Sequence, residues 1–279
     1  MIDAHHHLWT LHPGRHPWLG TQPFARSLQM AEYDATFAGH DIAATVWIEA
    51  LATDPMAELA EAETVRRATQ GRIGAALVAH VPLDAPDIEA RLDRCAALSP
   101  AFRGVRDILS PRLARAPDLL ERPGFLRGLH ALAARGLVFD MMLTPPQMQA
   151  AADLLAQVPA LTVALEHVGS PHDRSPDGIA LWHAGIERLA ALPNCVVKLS
   201  ALHCLLAQPS DRALAGLVVP LTQAFTPLRM CVGSDWPVHD QTCPGPEAFC
   251  TLDRLTTAWT QADRTALFEG TARRVYRIA

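Results

Sequence analysis

Apolar residues along this chain gather into short, mostly unbroken runs separated by longer amphipathic stretches. The runs fall at 1–8, 43–50, 73–81, 102–109, 137–143, 161–168, 195–202 and 229–234. Continuous rather than alternating apolarity is what parallel strands covered on both faces require, so the eight runs read as eight buried strands. The intervening stretches carry helix-start signals. Asp54-Pro55 and Thr144-Pro145 each place a capping side chain before a proline at the first helical position. The apolar spacing of 178–192 suits a helix packed on a sheet. Further helices are expected near 58–69, 86–98, 123–135, 211–224, 245–259 and 262–275. Eight strands alternating with about as many helices predict an α/β fold, a (β/α)8 TIM barrel forming one domain over residues 1–279. An open doubly wound sheet shares the alternation, but no G-x-G-x-x-G or phosphate-binding loop follows any strand.

Polar residues interrupt these runs mainly near their C-terminal ends, where barrel enzymes keep their chemistry. The first run ends in His5-His6-His7, the fourth carries Arg106 and Asp107, the sixth ends in Glu166-His167, and the eighth leads into Asp235. Asp140 and Lys198 lie inside the fifth and seventh. In a strand, residues 5 and 7 share a face and residue 6 points the other way. His5 and His7 can therefore offer two imidazoles to one ion, and such N and O donors suit a divalent metal, zinc first. A purification tag is the poorer reading, because the three histidines sit between apolar neighbours. His80, His130 and His183 read as structural histidines. His203 and His239 follow strand ends and are candidate substrate contacts. Trp9 and Trp18 either line a pocket or plug the barrel mouth, and Asp140 and Glu49 are hydrogen-bonded core acids or catalytic groups.

Composition narrows the classes further. Hydrophobic residues make up 49% of the chain and charged residues 19%, enough apolar material for a large core. A net charge of −5 and the absence of a basic run exclude a nucleic-acid surface. No stretch is apolar over the length a membrane span needs, and no signal peptide opens the chain. Six cysteines without C-x-x-C spacing fit reduced thiols, so a cytoplasmic protein is expected, as a monomer or homo-oligomer. Of 24 basic residues Lys198 is the one lysine, which marks it either as a position needing a compact ammonium or as a chance survivor of arginine bias.

The segments IDAHHHLW, FRGVRDIL, LEHVGSP, VVKLSAL and VGSDWPV, taken in this order, resemble the amidohydrolase superfamily. They are closest to its amidohydrolase-2 branch, which holds sugar-acid lactonases such as L-fuconolactonase and L-rhamnono-lactonase. The likeness spans residue 2 to the C-terminal LFEGTARRVYRI. It implies a hydrolase that opens the lactone ring of a sugar acid or related carboxylated lactone. It assigns His5, His7, His167 and Asp235 as metal ligands, Asp235 as general base, and His167 as a second catalytic group. Arg106 and Lys198 then bind a substrate carboxylate or the developing oxyanion, with Trp9, Trp18 and His203 as further substrate contacts. The sequence departs from the branch where Ser170 replaces a lysine and Asp107 a frequent histidine. A bridging carboxylated lysine is excluded, because Lys198 lies on the seventh strand, so one ion at most is expected, and turnover without metal stays open. A metal-dependent decarboxylase or an inactive sugar-acid-binding barrel would share the same residues. Carbon dioxide release, or failure on every lactone, would separate them.

Overall fold

The structure, a computed structural model, describes residues 1–111 and 113–279. Eight parallel strands lie in sequence order: β1 (Ile2–His6), β2 (Ala44–Ile48), β3 (Ala76–His80), β4 (Phe102–Arg106), β5 (Val138–Met141), β6 (Thr162–Leu165), β7 (Cys195–Leu199) and β8 (Met230–Val232). Nearly every strand residue is buried, which explains the unbroken apolar runs. β1 and β8 meet at their C-terminal ends, where the Asp235 amide donates to the His5 carbonyl (2.8 Å) and the His7 amide to the Trp236 carbonyl (2.8 Å). The sheet thereby curls into the expected (β/α)8 barrel.

The outer helices are α1 (Met30–Thr36), α2 (Pro55–Ala68), α3 (Ile88–Leu98), α4 (Pro123–Ala134), α5 (Met148–Leu155), α6 (Pro176–Ala190), α7 (Asp211–Phe225) and α8 (Glu247–Leu255), followed by α9 (Gln261–Thr265) and α10 (Thr271–Tyr276). Asp54 caps α2 through the amides of Met56 and Ala57, as its position before Pro55 implies. The stretch expected as one helix over 262–275 is α9 and α10 joined by a wider turn at Ala266–Gly270. α1 was not anticipated: its seven residues are too few to show a clear apolar period.

Two positions show why glycine is needed beside the site. A Cβ on Gly233 would stand 2.6 Å from the His5 Cβ, so only glycine lets β8 close against β1. Gly169 has φ +77, and a Cβ there would overlap Met148 of α5.

Candidate active site

His5 is the penultimate residue of β1, with its side chain inside the barrel, and His7 follows one residue beyond the strand on the same face. Their Nε2 atoms are 3.3 Å apart. His6 points outward and pairs with Thr45 Oγ1 at 2.7 Å. His167 follows β6 in a turn where residues 167 to 170 all have positive φ, a costly conformation that aims its ring inward. Asp235 follows β8, also at positive φ (+56). Its Oδ1 lies 3.4 Å from His5 Nε2, 3.6 Å from His7 Nε2 and 3.9 Å from His167 Nε2. All four residues are at least 94% buried.

These spacings suit a metal. Donor atoms about 2.0–2.2 Å from a tetrahedral centre stand about 3.3–3.6 Å from one another. The tautomers agree with the distances. His7 Nδ1 donates to the Ile48 carbonyl at 2.9 Å, which leaves the Nε2 lone pair facing the cluster. His167 Nδ1 is held by Ser200 Oγ at 2.9 Å, which turns its Nε2 the same way. Glu166 Oε1 is buried without a hydrogen bond and lies 3.4 Å from His5 Nδ1. When His5 ligates through Nε2 its Nδ1 carries the proton, and Glu166 is the acceptor that state requires. Burial, reinforced by the charge of Lys198, drives the His5 imidazole well below its ordinary pKa. Burial likewise lowers His167 against the pull of Asp235. Burial pushes the Asp235 carboxyl up, but His167 and His7 outweigh it and hold Asp235 below the usual carboxylate value. At neutral pH the His5 and His167 imidazoles are thus unprotonated beside an ionised Asp235 carboxylate.

His7, His167 and Asp235 form one end of a cavity of about 190 Å³. That is smaller than the roughly 300–1,000 Å³ of sites for drug-sized ligands. Trp18 and Arg106 line it as expected. The Arg106 guanidinium is already engaged, by Glu49 through Nε (2.5 Å) and by Glu166 through Nη1 (3.3 Å). Three other candidates lie elsewhere. Lys198 is fully buried beneath His5, with Nζ 3.4 Å from His5 Nδ1 and ion-paired to Asp140, which also accepts from the Tyr276 hydroxyl of α10 at 2.8 Å. Trp9 packs on Trp18 and Phe24 and donates to the Arg26 carbonyl, so it braces the wall from behind. His203 sits behind the loops after β7 and β8, bonded to His239 (2.9 Å) and Thr251 (3.2 Å).

The sequence reading missed Glu166 as a partner of His5 and Glu49 as the partner of Arg106. Each is an acid at the C-terminal end of an apolar strand, which is a usable signal, but the pairing is made across strands and has no sequence spacing. It also missed Asp3, whose carboxylate accepts from the Ser234 amide, the Ser234 hydroxyl and the Tyr33 hydroxyl and so fixes the segment before Asp235.

The amidohydrolase family model matches residues 2–278. An L-fucono-1,5-lactonase of Burkholderia multivorans is 29% identical over 99% of this chain and 96% of its own length. A crystal structure of an amidohydrolase from Burkholderia multivorans with bound zinc superposes with a TM-score of 0.90 at 26% identity, covering 100% of this chain and 99% of that one. A 2-pyrone-4,6-dicarboxylic acid hydrolase from Pseudomonas putida, 22% identical with a TM-score of 0.78 over 99% and 97% of the two chains, shares the fold. With the barrel, the clustered imidazoles and carboxylate, and a match over nearly its whole length, this chain belongs to the amidohydrolase family.

Proposed function

We propose that this protein is a lactonase that opens the ring of a sugar-acid lactone, using His5, His7, His167 and Asp235 around a single divalent ion, zinc first. One observation carries the reading: His5, His7 and Asp235 converge to 3.3–3.6 Å of one another, with His167 Nε2 3.9 Å from Asp235, at the end of a small, largely apolar cavity. The full-length similarity to L-fucono-1,5-lactonase supports the choice of ester. Zinc held there would polarise the lactone carbonyl and lower the pKa of a bound water to about 7.

The chain's own groups handle the protons. Asp235, ionised and facing the cavity, takes a proton from the water that attacks the carbonyl carbon. When the ring C–O bond breaks, Asp235 returns that proton to the leaving oxygen, so lactone and water become a hydroxy acid. His167, fixed by Ser200, and His7, fixed by the Ile48 carbonyl, keep their rings aimed at the reacting end. The apolar wall of Trp18, Leu51 and Ile108 keeps bulk water out. Each of the six cysteines is a free thiol, which supports a reducing, cytoplasmic setting. Among the described residues no helix is long and apolar enough to cross a membrane.

The test is a panel of sugar-acid lactones followed by acid release at a pH indicator, with zinc or manganese added and with a chelator. Ring opening that disappears on chelation and returns with metal is expected. Carbon dioxide release from an aromatic or dienoic acid, with no lactone opened, would overturn the reading.

A further inference from the structure

Among the described residues, one group of metal-donor side chains lies outside the cluster on β1, β6 and β8, and it holds the sulfur that cluster lacks. It consists of His203, His239 and Cys243, whose donor atoms all lie within 4.8 Å of one another. His203 sits in the short helical turn Leu202–Leu205 after β7, His239 in the turn Val238–Gln241 after β8, and Cys243 just beyond that turn. Both imidazoles are buried and the thiol is half-buried, so an ion has a way in.

Hydrogen bonds fix which lone pairs face the group. The Thr251 hydroxyl gives its one proton to Glu247 Oε1 (3.1 Å), so it accepts from His203 Nε2 (3.2 Å), and His203 Nδ1 carries a bare lone pair. That lone pair points at His239 Nε2, 2.9 Å away, and Cys243 Sγ lies 3.5 Å from the same Nε2. A nitrogen and a sulfur on one tetrahedral zinc ion, at about 2.0 and 2.3 Å from it, stand about 3.5 Å apart. The two nitrogens are closer than the roughly 3.3 Å of a shared ion because a proton lies between them, and the rings need to part by only a few tenths of an ångström. Glu247 behind Thr251 completes a carboxylate–hydroxyl–imidazole chain of the sort that orients metal-bound histidines. Burial lowers both imidazoles, His239 to about 4, so neither is charged at neutral pH. Burial pushes the Cys243 thiol up to about 12, so it keeps its proton until an ion displaces it. Two hydrogen-bonded histidines would suffice to pin two loops; a sulfur at a ligand's distance from the same nitrogen is what such a pin does not require.

We propose that His203 Nδ1, His239 Nε2 and Cys243 Sγ bind a second, thiophilic divalent ion, of which zinc is the type, with a fourth position left to water. On binding, the Nε2 proton of His239 moves to its Nδ1 and the Cys243 thiol proton goes to solvent. Two metal–nitrogen bonds and one metal–sulfur bond form, and no electron changes hands. The ion ties the loop after β7 to the loop after β8, where the His239 amide donates to the Asp235 carbonyl at 2.9 Å. This site stands whether or not the barrel opens lactones.

The experiment loads the metal-stripped full chain with cobalt(II) in a reductant that carries no thiol. A cobalt–thiolate bond gives a near-ultraviolet charge-transfer band that nitrogen and oxygen ligands do not, so the band reports this site and not the cluster of His5, His7, His167 and Asp235. The band should saturate at one thiolate per chain and vanish when zinc is added. It should be absent from Cys243→Ser, sharply reduced in His203→Asn, and unchanged in His7→Asn, which breaks the other cluster. A band that persists in Cys243→Ser or disappears in His7→Asn overturns the proposal, as does no band at all in the wild-type chain. Should Cys243→Ser fail to fold, the wild-type chain answers alone. Zinc should slow alkylation of Cys243, read by mass spectrometry, at least about tenfold, while alkylation of the equally half-buried Cys250 is unchanged. Equal rates at Cys243 with and without zinc overturn the proposal.

Discussion

Asp235 is a buried carboxylate at positive φ, held below its ordinary pKa by His167 and His7 and facing the end of a cavity. Asp235→Asn keeps the volume and removes the base, so kcat should fall about 10²–10⁴-fold while the far-ultraviolet circular dichroism stays unchanged. Near-native turnover in that variant would refute its role. Glu166→Gln removes the negative charge facing His5 Nδ1 and should weaken metal affinity about 10–100-fold in a chelator-competition titration. Lys198 belongs to a different category. It pairs with Asp140 where both are fully buried, and burial pushes the Asp140 carboxyl up against the opposing pull of Lys198. Lys198→Met leaves that acid alone and should cost about 3–5 kcal/mol in urea unfolding, with most of the loss recovered by adding Asp140→Asn. A substrate-binding lysine would instead raise KM and leave stability alone. The contrast shows what was legible. His5, His7, His167 and Asp235 stood out because each is polar at the end of an apolar run. Lys198 stood out equally, but its partners come from β5 and from Tyr276 in the last helix, and no spacing in the sequence announces them.

The loops after β7 and β8 are pinned to each other by side chains rather than by strand pairing. His239 meets His203 at 2.9 Å, and His203 reaches Thr251 of α8. Burial, then the charge of His203, pushes His239 down to about 4, and burial pushes His6 down to about 3. Burial raises Asp3 to about 6 in spite of its hydrogen bonds. Between pH 6 and pH 4 the unfolded chain therefore holds two protons on these histidines, while the folded chain holds one on Asp3. On these three groups the unfolded state holds the excess, so their contribution to stability falls as the solution is acidified, by about 1.4 kcal/mol per pH unit, against the opposing pull of the buried acids Glu58, Asp140 and Asp240. His5 and His167, also lowered by burial, act in the same direction. Urea midpoints measured from pH 6 to pH 4 should decline, and His239→Asn should make the decline shallower; a flat or rising profile would contradict the assignment. These loops were largely illegible in the sequence, because their short helical turns at Leu202–Leu205 and Val238–Gln241 carry no period to read. The strands and long helices were legible because burial on both faces and amphipathic spacing are written directly into composition.

Across the whole molecule the proposed metal ligands come from β1, β6 and β8, so one ion would tie the first strand to the last. An ion held at 1,000 times its dissociation constant adds about 4 kcal/mol to the folded state. Chelation should therefore lower Tm by about 10 °C in a scanning calorimeter, with full recovery on adding metal. An unchanged Tm would argue against a tightly held ion. The barrel itself could be read from eight apolar runs, but its closure could not. Closure rests on Gly233 passing His5 at a distance only glycine allows, and on two backbone bonds that join residues more than two hundred positions apart. Those same bonds carry Asp235 to His5. On the role proposed for Asp235, a chain that has assembled seven strands would have an interior but no chemistry, since the carboxylate comes with the strand that completes the ring. Partly folded molecules would then be inert, and the onset of turnover during refolding would time the moment at which the barrel shuts.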